Sequence, residues 1–499
     1  MREKNSASIE PLDRVGMAVL LILSLLIALV ILQGDVVSGS VRNFTWKNQI
    51  IGADDTSFVM TFSRPMDKKT VEDNLKIEPP LAGKTSWSGR RFFYTLLTPA
   101  PYGTNYKVSL EGAKDKFAAK EGKNRPIQAF TGNFSTRDRV IIYIGVEGEE
   151  QGRLILYNLN KQQKKVLTPR NYIVLDFQPY PDGDRIIYSA RKADNPDITS
   201  AELYSVTTGV ITDNTKDPER EGKIETLVDS RDFQNLKFDL SPDGQTIVVQ
   251  RANKKQVGEY GLWFLAAKTD NGKSATPQPI KSAPGGDFLI TPDSQAVAVT
   301  QGQGTAIIPL QKDGTKPLDF LPQFALVQTF SKDGSQAAMV KYNQDFTKAL
   351  FLVGNQGEQK EILRGKGDII SCQFDTASPT LYCLLTQLIG DGEYAQEQPY
   401  FVAFDLKTGK QKPLIVLPNN QRNVQLSLAP DGLGVLFDQV QSQTNTNQPP
   451  QQTALTTVDG LPVISSSLWF MPLDPINGLG NDMKPEKLPL VGFHPRWLP

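Results

Sequence analysis

A short phrase recurs between residues 138 and 499 and constrains the fold more than any other feature: an apolar strand, a Pro-Asp-Gly-like turn, then a second apolar strand. It reads Phe177-Gln178-Pro179-Tyr180-Pro181-Asp182-Gly183 before Arg185-Ile186-Ile187-Tyr188, and Asp239-Leu240-Ser241-Pro242-Asp243-Gly244 before Thr246-Ile247-Val248-Val249. Later copies are Ile290-Thr291-Pro292-Asp293-Ser294, Phe330-Ser331-Lys332-Asp333-Gly334 and Leu428-Ala429-Pro430-Asp431-Gly432, with Phe374 to Pro379 a degenerate one. Proline presets φ and glycine tolerates positive φ, so each phrase is a tight hairpin turn with a physical cause. Successive copies lie about 40–60 residues apart, the length of one four-stranded propeller blade.

Each turn leads into a second strand, then an aromatic-rich third strand such as Gly261–Ala266 (GLWFLA), Tyr400–Leu406 (YFVAFDL) or Ser467–Leu473 (SLWFMPL), then a short fourth one. The ends supply a check. Arg139–Ile144 (RVIIYI) has no first strand ahead of it, while the phrase at Val491 to Trp497 has no second strand after it. Joined, they make one complete blade and remove the exposed edges that an open array would leave. The expectation is an all-β chain with a seven-bladed β-propeller over 138–499, closed by its C-terminal strand.

Ahead of the propeller the periodicity changes twice. Val15 to Leu32 is 18 residues without a charge, interrupted only by Ser24 among polar residues. As a helix it would span roughly 27 Å, enough for the hydrocarbon core of a bilayer. Val36-Val37-Ser38 is a poor cleavage site, so an uncleaved transmembrane signal anchor is expected at 15–34, after a short cytoplasmic segment at 1–14. Arg2, Lys4 and Arg14 precede the run, a mild bias toward a cytoplasmic N-terminus, with the bulk of the chain beyond the membrane.

Over 41–137 the period becomes two. Phe58 to Phe62, Arg91 to Leu96 and Tyr106 to Leu110 read as strands separated by Pro79-Pro80, Gly83 and Pro101-Tyr102-Gly103, which predicts a β-sandwich. Thr61-Phe62-Ser63-Arg64-Pro65-Met66-Asp67, with Thr70-Val71 after it, resembles the "t-F-S-x-P-M-D-x-x-T-V" stretch of bacterial immunoglobulin-like domains of the surface-layer type. Leu97 to Tyr106 and Phe130 to Thr136 resemble later segments of the same family. The resemblance implies a spacer or adhesion module without catalytic residues; Asp67 itself reads as the cap of a short helical turn.

The blade phrase resembles the propeller of periplasmic TolB-like proteins, with Phe177, Phe238 or Leu428 standing where that family has a tryptophan. In that family an α/β domain precedes the propeller; here a sandwich and an apolar run do, a departure that argues against simple orthology.

The chemistry is sparse. The chain of 499 residues has one histidine, His494, and two cysteines, Cys372 and Cys383, so a multi-histidine or multi-thiolate metal site cannot be built. Positive and negative side chains balance at 54 each, unlike a nucleic-acid binder. No G-x-S-x-G elbow, HExxH or phosphate-binding glycine loop is present, and no appended hydrolase domain is expected. His494 could line the channel or simply pack. Asp182 with Asp184, and Asp391-Gly392-Glu393, could lend oxygens to calcium or serve only their turns. Cys372 and Cys383 face each other across the hairpin centred on 375–379, which allows a disulfide or two small buried thiols. Gln439 to Gln452 and Asp213 to Gly222 read as polar loops. No catalytic residue, cofactor or metal site is expected. The leading expectation is a non-enzymatic, membrane-anchored scaffold of a bacterial envelope that binds an envelope protein or polymer; the rival is an enzyme using channel-mouth carboxylates on polysaccharide.

Overall fold

The structure, a computed structural model, describes residues 11–33, 38–116, 126–212, 218–268, 275–281, 285–310, 319–390, 396–421, 423–442, 455–457, 460–473 and 484–499. The acidic candidate at Asp391 and Glu393, most of the 439–452 loop and half of the 213–222 loop lie outside these residues.

The first element is a helix, Pro11–Gln33. Val15, Leu20, Leu21, Ile22, Leu25 and neighbouring apolar side chains along it are exposed. Among the described residues no helix is long and apolar enough to cross a membrane.

Residues 41–136 form two four-stranded sheets. One joins Val41–Phe44, Ser57–Phe62, Arg91–Leu96 and Gly83–Ser88; the other joins Ile50–Ile51, Phe130–Thr136, Asn105–Leu110 and Leu75–Glu78. Alternation along the strands turns Phe58, Met60, Phe62, Phe92, Tyr106 and Phe134 inward to one shared core. Phe44 meets Phe58 edge-on at 5.1 Å, and Tyr106 stacks on Phe134 at 4.9 Å, so aromatic contacts supply much of the packing. The helix Lys68–Asn74 is started by Asp67, whose carboxylate accepts the Thr70 N–H at 3.1 Å.

Beyond residue 138 the described chain forms seven four-stranded antiparallel sheets. Six are met in chain order, from the sheet beginning at Tyr172–Pro179 to the one beginning at Leu426–Leu428. The seventh is built from both ends: Gly492–Trp497 pairs antiparallel with Val140–Gly145, and Leu154–Asn158 and Gln163–Val166 complete it. This arrangement is consistent with a β-propeller. Its cores lie between neighbouring sheets. Tyr382, Leu384 and Phe401 of the fifth sheet pack on Val435, Phe437 and Met471 of the sixth. Ile142 and Leu156 of the closing sheet share a core with Val174 and Tyr188 of the first.

The first strand of each of the six sequential sheets, and Gly492–Trp497 in the closing one, lies at the inner edge, and several of these strands are stitched to one another. The Leu240 N–H donates to Gln178 Oε1 at 3.2 Å, Ile290 N–H to Asp239 Oδ2 at 2.8 Å, Leu428 N–H to Gln373 Oε1 at 3.0 Å and Trp497 N–H to Ser427 Oγ at 3.1 Å. At these four junctions a polar side chain of one strand satisfies a backbone donor of the next, where no ladder connects the sheets. Cys372 and Cys383, register partners of the fifth sheet, are joined by a disulfide with S–S 2.07 Å.

Candidate functional site

The connections between strands define two faces. The turn face carries the Pro-Asp-Gly phrases between innermost and second strands; the loop face carries the connections between second and third strands.

On the turn face the aspartates first serve their own turns. Asp243 Oδ1 accepts the Ser241 hydroxyl at 2.5 Å and the Gln245 N–H at 2.9 Å. Asp293 repeats this with Thr291 and Gln295, and Asp333 with Ser331 and Ser335. Those hydrogen bonds hold the Asp333 carboxyl at about 2, well below the usual range. Gly183, Gly244, Gly334 and Gly432 all have positive φ, and Ser294 takes that conformation in the third sheet without a glycine.

Asp431 differs. The residue two before it is Ala429, so no hydroxyl occupies its carboxylate. One oxygen accepts Leu433 N–H at 3.1 Å, and the other accepts the backbone N–H of Tyr102, in the sandwich, at 3.0 Å. Arg139 approaches the same oxygen at 3.5 Å, and Asp431 is 2% exposed. Gly432 beside it has φ +72°, and a Cβ there would lie 2.4 Å from Ala377 Cβ, so the turn also seats against its neighbour. Two further contacts complete the clamp: Arg137 Nη1 donates to the Pro499 carbonyl at 2.9 Å, and Lys332 pairs with Asp54. The sandwich therefore covers part of the turn face. A cleft of about 350 Å³ remains beside the contact, walled by Thr104, Thr136, Asn158, Lys161 and Lys165. The chain enters the sandwich at its opposite end, where Ser40 N–H donates to Ser63 Oγ.

On the loop face apolar side chains stand in solvent at the tips of several sheets: Ile198 in the first, Val257 in the second, Phe346 in the fourth (90% exposed), Leu388 and Ile389 in the fifth, Ile464 in the sixth. Singly such residues need no explanation; their concentration on one end of the fold does.

His494 lies in the closing strand with φ +54°, at a bulge between Phe493 and Arg496. Its backbone N–H donates at 2.6 Å to Asp438, a fully buried carboxylate of the sixth sheet that also accepts Gln425 N–H at 2.7 Å. Burial pushes Asp438 up to about 7 and His494 down to about 4, the latter against the pull of Asp176, 3.6 Å away, and with Arg496 adding to the depression. The imidazole is therefore neutral at pH 7. Asp438 was not among the residues singled out from the sequence; a lone aspartate inside an apolar strand was the available signal.

Other candidates disperse. Asp182 is exposed and pairs with Lys268 at 3.3 Å instead of converging with Asp184 on an ion. Among the described residues no group of three or more His, Cys, Asp or Glu side chains could hold a metal ion.

No protein-family model matches the chain, and no curated protein matches it. Solved structures do. TolB of Acinetobacter baumannii aligns over 85% of this chain and 83% of its own at 12% identity, with a TM-score of 0.37. A periplasmic gluconolactonase of Pseudomonas aeruginosa aligns over 72% of this chain and 99% of its own at 13% identity, TM-score 0.44. A candidate 6-phosphogluconolactonase of Bacteroides fragilis aligns over 73% and 98% at 11% identity, TM-score 0.43. At such identities the likeness concerns the fold. The expectation that this chain is not an enzyme is corrected by the names among the similar structures: structures called lactonases stand beside TolB.

Proposed function

We propose that this protein is a tethered extracytoplasmic binding protein, whose sandwich holds a propeller by its turn face and leaves the loop face for an envelope protein or polymer. We read the seven sheets as seven blades, and the sandwich as an immunoglobulin-like spacer of the bacterial surface-layer type, in keeping with the Thr61 to Asp67 segment and its cap. We read the uncharged run Val15 to Leu32 as the tether in a bacterial cytoplasmic membrane; its length in the sequence and the exposed leucines and isoleucines between Val15 and Leu29 favour this. The disulfide between Cys372 and Cys383 favours an oxidising compartment for the propeller.

The observation that carries the reading is the division of the two faces. The Asp431–Tyr102 clamp occupies one, while the other presents exposed apolar tips on the side of the propeller away from the point where the tether enters the sandwich. The test is crosslinking and capture from native membranes with the full chain and with a Val257→Ser, Phe346→Ser variant, whose substitutions are fully solvent-facing. A reproducible envelope component retained by the first and lost by the second supports the reading. Equal recovery by both, or recovery of nothing specific, overturns it.

A further inference from the structure

We propose that a pocket on the loop face between the fourth and fifth sheets binds one neutral sugar unit of an envelope polysaccharide; the inference rests on the reading of that face as the binding face. The pocket measures about 230 Å³. That is the liquid volume of roughly eight waters, well below the size of a drug-like ligand site.

Its floor is apolar, formed by Leu326, Val340 and Ile369 from the two sheets. Its walls are not. Lys348 and Asp368 form an ion pair at the mouth, and Gln328 extends an amide across the gap, with Nε2 donating to Ile369 O at 3.1 Å. At the rim stands Tyr342, 59% exposed, with the Lys348 ammonium 6.0 Å from its ring centroid.

The sequence builds this arrangement locally. Tyr342 and Lys348 are register partners that end a hairpin, whose tip is closed by Asn343 N–H donating to Thr347 O and by Asp345 accepting from Thr347 N–H. Cross-strand partners lie within side-chain reach of one another, so ring and ammonium share one end of the sheet. Asp368 is fixed from the neighbouring sheet. Its N–H donates to Thr386 Oγ1 at 2.6 Å, and a Cβ on the preceding Gly367 would lie 1.8 Å from Thr386 O. Only glycine permits that approach, and the approach sets the carboxylate beside Lys348.

The composition selects the ligand. An apolar side chain seated here would strip water from the ion pair without replacing its hydrogen bonds. A charged ligand would compete with a pair that is already balanced. A neutral polyol answers both demands: its hydroxyls replace water on Asp368, Lys348 and Gln328, and the C–H face of its ring lies on the tyrosine and the apolar floor. The placement suits a polymer, because Phe346 projects from the same hairpin and Leu388 and Ile389 from the adjoining sheet.

The experiment is calorimetric titration of the purified full chain with chitotriose and, separately, maltotriose. Saturable binding of at least one sugar is expected, weakened about tenfold by Tyr342→Ala, kept by Tyr342→Phe, and reduced by Asp368→Asn. Absence of saturable binding to either sugar up to about 10 mM overturns the site, as does equal binding by the wild type and Tyr342→Ala. If the sugars fail while the Val257- and Phe346-dependent capture persists, the sugar site falls alone; if both fail, the binding face falls with it.

Discussion

The second and sixth sheets of the propeller are copies of one pattern, yet their acidic residues do different work. In the second, Asp243 closes its own turn with Ser241, and Asp239 ties the innermost strand to the third sheet. In the sixth, Ala429 replaces the serine; Asp431 reaches into another domain, and Asp438 reaches to the strand that closes the ring. The local turn is nearly the same in both. The comparison teaches that a repeat is specialised by removing a local partner: a carboxylate relieved of a hydroxyl becomes available to a distant backbone.

The strongest way to break the comparison is to delete the two turn aspartates. Asp431→Ala leaves the Tyr102 and Leu433 N–H groups and Arg139 without the carboxylate that they share, at a site where Asp431 itself is buried. It is expected to cost about 4 kcal/mol. Asp243→Ala, at an exposed turn, is expected to cost about 1 kcal/mol. Denaturant unfolding of the two variants measures the gap, and equal losses would mean that the clamp adds nothing to an ordinary turn.

The second test concerns Asp438 and His494. Between about pH 4 and 6.5 the folded protein holds a proton on Asp438 and none on His494, whereas the unfolded chain does the reverse. The two contributions oppose each other, and stability in that window is nearly flat with respect to this pair. Asp438→Asn leaves only the histidine, whose depressed folded value makes stability fall as pH drops from 6.5 toward 4, by about 3 kcal/mol in total. His494→Asn leaves only the acid, whose raised value makes stability fall as pH rises from about 4 toward 7. Asparagine tolerates the positive φ at that position. Thermal unfolding across pH reads both slopes, and parallel slopes in the two variants would sink the assignment.

The smallest effect sharpens the comparison. Ala429→Ser restores the hydroxyl that the turns of the second, third and fourth sheets have and draws Asp431 back to its own turn. A loss of about 1 kcal/mol is expected, together with faster hydrogen exchange of the Tyr102 amide. Unchanged exchange at that amide would show that the missing hydroxyl is not what frees the carboxylate.

Much of the architecture could be read before any coordinates. The turn phrase at its regular spacing announced the sheets, and the unmatched strands at Arg139 and Val491 announced the seam between the ends, which the pairing of Gly492–Trp497 with Val140–Gly145 realises. The period-two segments announced the strands of the sandwich, and Asp67 its helix cap. The candidate sites were much less legible. Asp182 and Asp184 read as a candidate pair, yet Asp182 pairs with Lys268, 86 positions away, which nothing local in the turn announces. Asp438 attracted no notice, since its environment is made by residues 13 and 56 positions away. The pocket at Tyr342 draws on two sheets and could not be assembled from either alone.

What the sequence determined by itself is everything governed by local stereochemistry and periodicity: hairpin turns from Pro-Asp-Gly, strands from alternation, and the order of the elements. Which face is covered, which carboxylates leave their own turns and where a sugar-sized hollow opens were decided by tertiary structure. Those features depend on distances between groups up to hundreds of residues apart, 329 in the case of Tyr102 and Asp431. A periodic pattern carries no record of such distances; only the closed packing of sheet on sheet and of the sandwich on the propeller sets them.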